Sequence, residues 1–191
     1  DGGTANGGDD SASLTLAATV TVANLNDAPS IAGGNNAGAY TEDAGGTVTD
    51  TLTTTDADGD TVSFSCTGCN DDGDTQSLTG TYGAWVLDES TGQWTYTPDD
   101  NDADMDALDG GDSVTDTLDV TAADGNGGTD TVTVTLTVTG ANDAPTSAAG
   151  SESGTEDTTY TYATSDFAYS DVDTDDTALV SITITVVESS G

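Results

Sequence analysis

The 191-residue chain contains no lysine, no arginine and no histidine, against 36 aspartates and glutamates, so its formal net charge is −36. No side-chain ion pair can form, and carboxylate repulsion has to be met by screening, by distance or by bound metal. The missing cations exclude nucleic acid as a partner, because nothing can displace the counterions of phosphate. They also exclude docking to an anionic membrane through a basic patch. Without histidine no side chain titrates near neutrality at its ordinary pKa, and no Ser-His-Asp or Cys-His pair can be assembled. No lysine or arginine can steady an oxyanion or a transferring phosphoryl group. A carboxylate pair of the glycosidase kind is the one catalytic device left. Among 36 carboxylates no pair stands out, and the chain is expected to be non-enzymatic.

Apolar residues are also scarce: 33% of the chain is hydrophobic and 5% aromatic. Such a composition with high charge favours disorder. Against that stands a strict alternation of apolar and polar residues, as in Thr131 to Thr139, where Val132, Val134, Leu136 and Val138 alternate with threonine. A random polar chain would not keep that period, and the chain is expected to fold with help from cations. No stretch has the length to span a bilayer, so no membrane insertion is expected. No signal peptide opens the chain, and its start at Asp1 reads as a mature or excised piece. There is no Asn-x-Ser/Thr sequon. Cys66 and Cys69, spaced Cys-Thr-Gly-Cys, are the only cysteines. Zinc would need two further nitrogen or sulfur ligands that the chain lacks. In an oxidising setting the two close a small disulfide loop; free thiols are the other reading.

Asn-Asp-Ala-Pro occurs twice, at Asn26 to Pro29 and Asn142 to Pro145, 116 residues apart. Each copy follows an alternating strand pattern and precedes an acidic pair, Glu42-Asp43 or Glu156-Asp157. An acidic triplet comes next, Asp56-Asp58-Asp60 or Asp171-Asp173-Asp175, offset by 115 residues. The pattern describes domains strung end to end with a cation site at each joint. Candidate strands are Leu14 to Val22, Thr47 to Thr54, Thr61 to Ser65, Tyr82 to Leu87, Gln93 to Thr97, Val114 to Ala122, Thr131 to Thr139 and Leu179 to Val187. Asp124 to Gly128 supplies a hairpin turn, and no amphipathic helix is evident. The expected fold is all-β: tandem β-sandwich repeats, one complete and two partial. Residues 1–25 read as the last strand or strands of a preceding repeat and 26–29 as a linker. Residues 30–141 form the complete repeat, 142–145 a second linker, and 146–191 the first part of a following repeat. Incomplete ends fit a fragment of a longer protein, or ends that complete each other between neighbouring chains by strand addition, which would build a filament.

Gly80-Thr-Tyr-Gly83, Gly92-Gln-Trp-Thr-Tyr-Thr-Pro98, Leu108 to Leu118, Asp124 to Gly128 and Gly140 to Pro145 occur in order. Together they resemble the VCBS repeat of very large bacterial surface proteins. The Thr-Glu-Asp and Asp-x-Asp-x-Asp pieces look more like cadherin-like bacterial repeats, and Asn-Asp-Ala-Pro is similar to the calcium-binding linker of cadherins. The resemblance implies Ig-like sandwiches in extracellular, cell-surface adhesins stiffened by Ca2+. The implied partners are neighbouring repeats or copies of the same protein, with cell-surface glycans as a further candidate.

Carried over onto this chain, the cadherin ligand pattern assigns Glu42, Asn142, Asp143, Asp171 and Asp173 to the second joint. It assigns Asn26, Asp27, Asp56 and Asp58 to the first, with Asp60 and Asp175 as further candidates. Calcium takes six to eight hard oxygens in irregular geometry, which suits such clusters. The triplet is not an EF-hand: glycine comes too early in Asp56-Ala-Asp-Gly-Asp-Thr61, and Thr67 stands where glutamate is required. The run Asp99 to Asp104 reads as a solvated loop, with a site for a further ion as the alternative. Trp85, Trp94, Tyr82 and Tyr96 read as core, with a sugar-stacking platform, and hence a carbohydrate-binding module, as the alternative.

Overall fold

The computed structural model describes residues 17–148, 150–176 and 179. Among these residues thirteen strands are present: β1 (Ser30–Ile31), β2 (Ala37–Thr41), β3 (Val48–Thr51), β4 (Thr54–Thr55), β5 (Ser63–Cys66), β6 (Asn70–Asp71), β7 (Thr75–Thr79), β8 (Gly83–Asp88), β9 (Gln93–Pro98), β10 (Ser113–Ala123), β11 (Thr129–Thr139), β12 (Thr146–Ala148) and β13 (Ala168–Ser170). The one helical element among the described residues is a 3-10 turn, Thr164–Asp166.

Of the two larger sheets one has the order β2-β11-β10-β5 and the other β3-β9-β8-β7-β6, and β1-β4 and β12-β13 form two-stranded sheets of their own. All pairings are antiparallel except β2, which runs parallel to β11. The first stretch of the repeat is divided: β1 pairs with β4 in a small two-stranded sheet, and after a short turn β2 joins the edge of β11. Threonine-valine alternation explains the long hairpin of β10 and β11. The β-branched residues suit extended backbone, and Val134, Leu136 and Val138 turn inward opposite Leu118, Asp116 and Val114. At its tip Asp124 Oδ1 accepts the N–H groups of Asn126 at 2.7 Å and Gly128 at 2.9 Å, while Gly125 and Gly127 take positive φ.

The core lies between the sheets and is dominated by aromatics. Trp85 and Trp94 are 1% and 0% exposed, and Trp85 stands edge-on to Tyr96 with ring centroids 4.6 Å apart. Trp94 Nε1–H donates to the Asn35 carbonyl at 2.9 Å. These indoles cannot stack on a sugar, which removes the surface platform on which the carbohydrate-binding alternative rested. Burying rings of this size offsets much of what the low apolar content withholds, since each removes 150–250 Å² from water by the usual measure, roughly.

Several strand expectations need correction. Thr47 to Thr54 is broken into β3 and β4, because Leu52 turns into the core and its N–H bonds to Gly92 O. Of Leu14 to Val22, residues 17–22 form no strand and are exposed, Val20 by 81%. They have no sheet to join among the described residues. Leu179 to Val187 falls outside the described residues apart from Leu179, which is in no strand. Cys66, at the end of β5, and Cys69 are disulfide-bonded, with Cα atoms 5.6 Å apart, and close the crossover from one sheet to the other.

Candidate metal centre

The two joints repeat one local geometry. At the first, the Asp27 N–H donates to Asp58 Oδ2 at 2.7 Å, and the Asp58 N–H donates to Asp56 Oδ1 at 2.9 Å. At the second, the Asp143 N–H donates to Asp173 Oδ2 at 2.7 Å, and the Asp173 N–H to Asp171 Oδ1 at 3.2 Å. The flanking strand clips match as well: Ser30 faces Thr55, and Thr146 faces Ser170. Asp43 and Asp157, the second members of the acidic pairs, both hold the left-handed conformation, with φ of 61° and 62°. For a non-glycine residue that conformation is uncommon, and Asp is among the side chains that tolerate it.

At the first joint Asp56, Asp58 and Asp60 each place a carboxylate oxygen within 4.8 Å of the others. Gly59, at φ 78°, makes the turn that gathers them. Asp56 Oδ2 is buried and has no hydrogen-bond partner among the described residues. Asp60 Oδ2 accepts from the Asn126 amide at 2.8 Å. Asn26 faces away from this triplet: its side-chain amide donates to Asp124 Oδ2 at 2.8 Å and ties the linker to the β10–β11 hairpin. That amide is the chief cause holding the Asp124 carboxyl below the ordinary carboxylate value. Asn24, which the sequence did not single out, donates to Asp58 Oδ1 instead.

The second joint is denser. Glu42 is 3% exposed and Asp173 1%. Among the described residues neither oxygen of Glu42 has a partner at hydrogen-bonding geometry, nor has Asp173 Oδ1. Burial pushes the Glu42 carboxyl up from 4.5 to about 7; the charges of Asp143, Asp43 and Asp173 add to this, and the nearby Ala141 amide offsets part of it. The Asp143 carboxyl is raised by burial and by Asp43, Asp173, Asp106 and Asp171. Buried, unpartnered carboxylate oxygens carry a desolvation penalty that only a proton or a cation relieves. The arrangement therefore fits a hard dication: the donors are all oxygen, several are unoccupied, and no side chain competes with positive charge.

Residues outside the carried-over ligand pattern also enter this joint. Gly140 N–H donates to Asp112 O, and a Cβ on Gly140 would lie 2.4 Å from the carbonyl oxygens of Leu108 and Asp109. Only glycine lets that loop rest on the chain leading into the linker. Asp106 and Asp109 come with it. Within this chain the loop has no second copy, so periodicity could not reveal its role. Asp109, Asp173 and Asp176 bring carboxylate oxygens within 4.8 Å of one another. Asp175 is exposed and belongs to no such group, and Asn142 is exposed with its amide turned to the Asp143 carbonyl.

Elsewhere Asp116 is buried without a metal-like setting. Its Oδ2 accepts the N–H groups of Thr81 and Tyr82 at 2.9 and 3.2 Å and the Tyr96 hydroxyl at 3.0 Å. Three neutral donors satisfy this carboxylate, and it serves as a core strut.

A largely antiparallel β-sandwich whose edge strand β2 runs parallel to β11, with carboxylates gathered near its ends, defines an Ig-like module of the adhesion type. The chain belongs to the bacterial cadherin-like domain family, whose model matches residues 26–140. No curated protein matches the chain. One solved structure, a nucleoside hydrolase-related hypothetical protein from Saccharophagus degradans that is associated with carbohydrate metabolism, is similar at 15% identity with a TM-score of 0.31. That match covers 60% of this chain and 26% of that one. Likeness at this level carries no argument about fold or activity.

Proposed function

We propose that this chain is a structural segment of an extracellular bacterial-type surface adhesin, in which joints between cadherin-like repeats are stiffened by Ca2+. The observation that carries the reading is a pair of buried carboxylates, one before and one after residues 142–145: Glu42, with neither oxygen hydrogen-bonded among the described residues, and Asp173, with Oδ1 left without a partner. Glu42 comes from the repeat before the linker and Asp173 from the segment after it, so a ligand held by both fixes the angle between them. Bound calcium would supply the positive charge that the chain does not encode. Glu42, Asp143, Asp171 and Asp173 would hold it at the second joint, and Asp56, Asp58 and Asp60 at the first. The Asp27 and Asp143 amides hold the central aspartates in place at each joint.

The domain layout follows from the same reading: linkers at 26–29 and 142–145, a repeat between them, and parts of further repeats on either side. The ordered motifs from Gly80 to Pro145 support a VCBS-like assignment for that repeat. The role is mechanical and non-enzymatic, with neighbouring repeats or copies as partners. Strand addition between copies is the reading in which the chain polymerises.

At millimolar calcium and a Kd near 10⁻⁴ M, each ion would stabilise the folded joint by about 1.4 kcal/mol. Thermal melting of the chain in calcium and in EGTA tests this. A Tm that rises by several degrees with calcium, and not with equal ionic strength of sodium, is expected; equal Tm values in the two would overturn the proposal.

A further inference from the structure

We infer that Asn126, which precedes Gly127 at the tip of the β10–β11 hairpin, is a site of spontaneous deamidation, and that its conversion to a carboxylate opens the clip holding this hairpin to the Asp56 to Asp60 loop. The inference does not depend on the calcium reading above. Asn126 is exposed, and the glycines on either side of it, Gly125 and Gly127, take φ of 77° and 108°. A glycine after the asparagine leaves the next backbone nitrogen unshielded, and its backbone turns readily into the approach that ring closure needs. The Gly127 nitrogen attacks Cγ of Asn126 and gives up its proton to solvent base. The N–Cγ bond forms, the Cγ–Nδ2 bond breaks, and ammonia leaves with a solvent proton. Water then opens the cyclic imide at either carbonyl and yields aspartate or isoaspartate. Water is consumed and ammonia released, with nothing oxidised or reduced. Asn26 and Asn142 are followed by aspartate instead, whose side chain and charge hinder the same attack.

What sets Asn126 apart is what its amide holds. Nδ2 donates to Asp60 Oδ2 at 2.8 Å, which ties the hairpin tip to the acidic triplet. On the same hairpin Asp124 Oδ2 accepts the Asn26 amide of the linker at 2.8 Å, and Asn24 donates to Asp58. In a chain with no lysine, arginine or histidine, these neutral amides stand where ion pairs would, joining linker, triplet loop and hairpin. Deamidation removes the donor at 126 and sets a new carboxylate against Asp60, in the triplet that also holds the unpartnered Asp56 Oδ2. The lost hydrogen bond to a charged acceptor and the new like-charge contact act in the same direction. Isoaspartate would also lengthen the backbone between the Asn126 and Gly128 amides, which Asp124 Oδ1 holds at 2.7 and 2.9 Å.

The 191-residue chain is kept in EGTA at pH 8, and peptide mapping by mass spectrometry follows amide-to-acid conversion at each asparagine over time. The chain's other Asn-Gly pair, Asn6-Gly7, is the internal reference for the chemistry. Conversion at Asn126 that keeps pace with Asn6 and runs ahead of Asn26 and Asn142, giving both aspartate and isoaspartate, is the expected result. Conversion at Asn6 with none at Asn126 would overturn the site. Thermal melting in EGTA of wild type, Asn126→Ala and Asn126→Asp tests the clip, since alanine removes the donor and aspartate also adds the charge. The Tm is expected to fall in that order, by a few degrees for Asn126→Asp. An Asn126→Asp chain as stable as wild type would overturn the opening of the clip.

Discussion

At the residue scale, the chemistry concentrates in a few carboxylates whose surroundings set them apart from the other acidic side chains. Asp116 is buried and satisfied by three donors. Glu42 is buried and unsatisfied. The difference predicts a pH dependence. Without cation, Glu42 titrates near 7 in the fold and near 4.5 when unfolded. The folded state therefore binds the extra proton between those values, and stability falls as pH rises through that window. In EGTA the fall is of order 3 kcal/mol at most by linkage. Glu42→Gln should flatten it, and saturating calcium should reverse it, because the ion favours the charged form. Urea unfolding at pH 5 and pH 8, in EGTA and in calcium, reads both effects. A wild-type protein in EGTA that is as stable at pH 8 as at pH 5 would contradict the buried, ionised Glu42.

At the element scale, backbone approach matters more than side-chain identity. Gly140 sits where the end of β11 passes under the Leu108 and Asp109 carbonyls, and a Cβ there would meet both at 2.4 Å. Gly140→Ala should destabilise the repeat by about 1–3 kcal/mol through overpacking, and it should displace Asp109 from the joint. Gly33→Ala has nothing within 4 Å and serves as the control. Chemical denaturation of both variants checks the contrast; equal stabilities would show that the loop yields freely. The same scale shows where the sequence was legible. β8 to β11 were readable because alternation reports one buried face, and Thr131 to Thr139 lies within the observed β11. β2 and β7 were not. Ala37–Thr41 carries two alanines, a glycine and a single large apolar residue, Tyr40, and is held by parallel pairing with β11. Pairing with a distant strand leaves no local pattern.

At the scale of the whole molecule, 36 carboxylates face no compensating charge. Such self-repulsion opposes the compact state and is screened over about 10 Å at 0.1 M salt. In EGTA the Tm should rise as sodium chloride increases from low to moderate concentration, at roughly 4 °C per kcal/mol recovered for a repeat of this size. In calcium the same titration should move Tm less, because the densest clusters are already neutralised. Differential scanning calorimetry across the salt series decides it, and parallel slopes with and without calcium would place the repulsion outside the joints.

The sequence by itself determined the all-β class, the complete lack of cationic side chains, and the period of about 115 residues in its motifs. These are local or compositional facts: alternation, charge count and repeated motifs need no partner in space. The chain's resemblance to cadherins also singled out Glu42, Asp143, Asp171 and Asp173, together with Asn142, as ligand candidates. Only the tertiary structure decided that Trp85 and Trp94 are core, that Asp176 rather than Asp175 turns toward the joint, and that the Asp109 loop lies on the linker. Those outcomes depend on which faces two distant segments present when packed. Repulsion among carboxylates gives no sequence signal for which of them will be buried together without a partner.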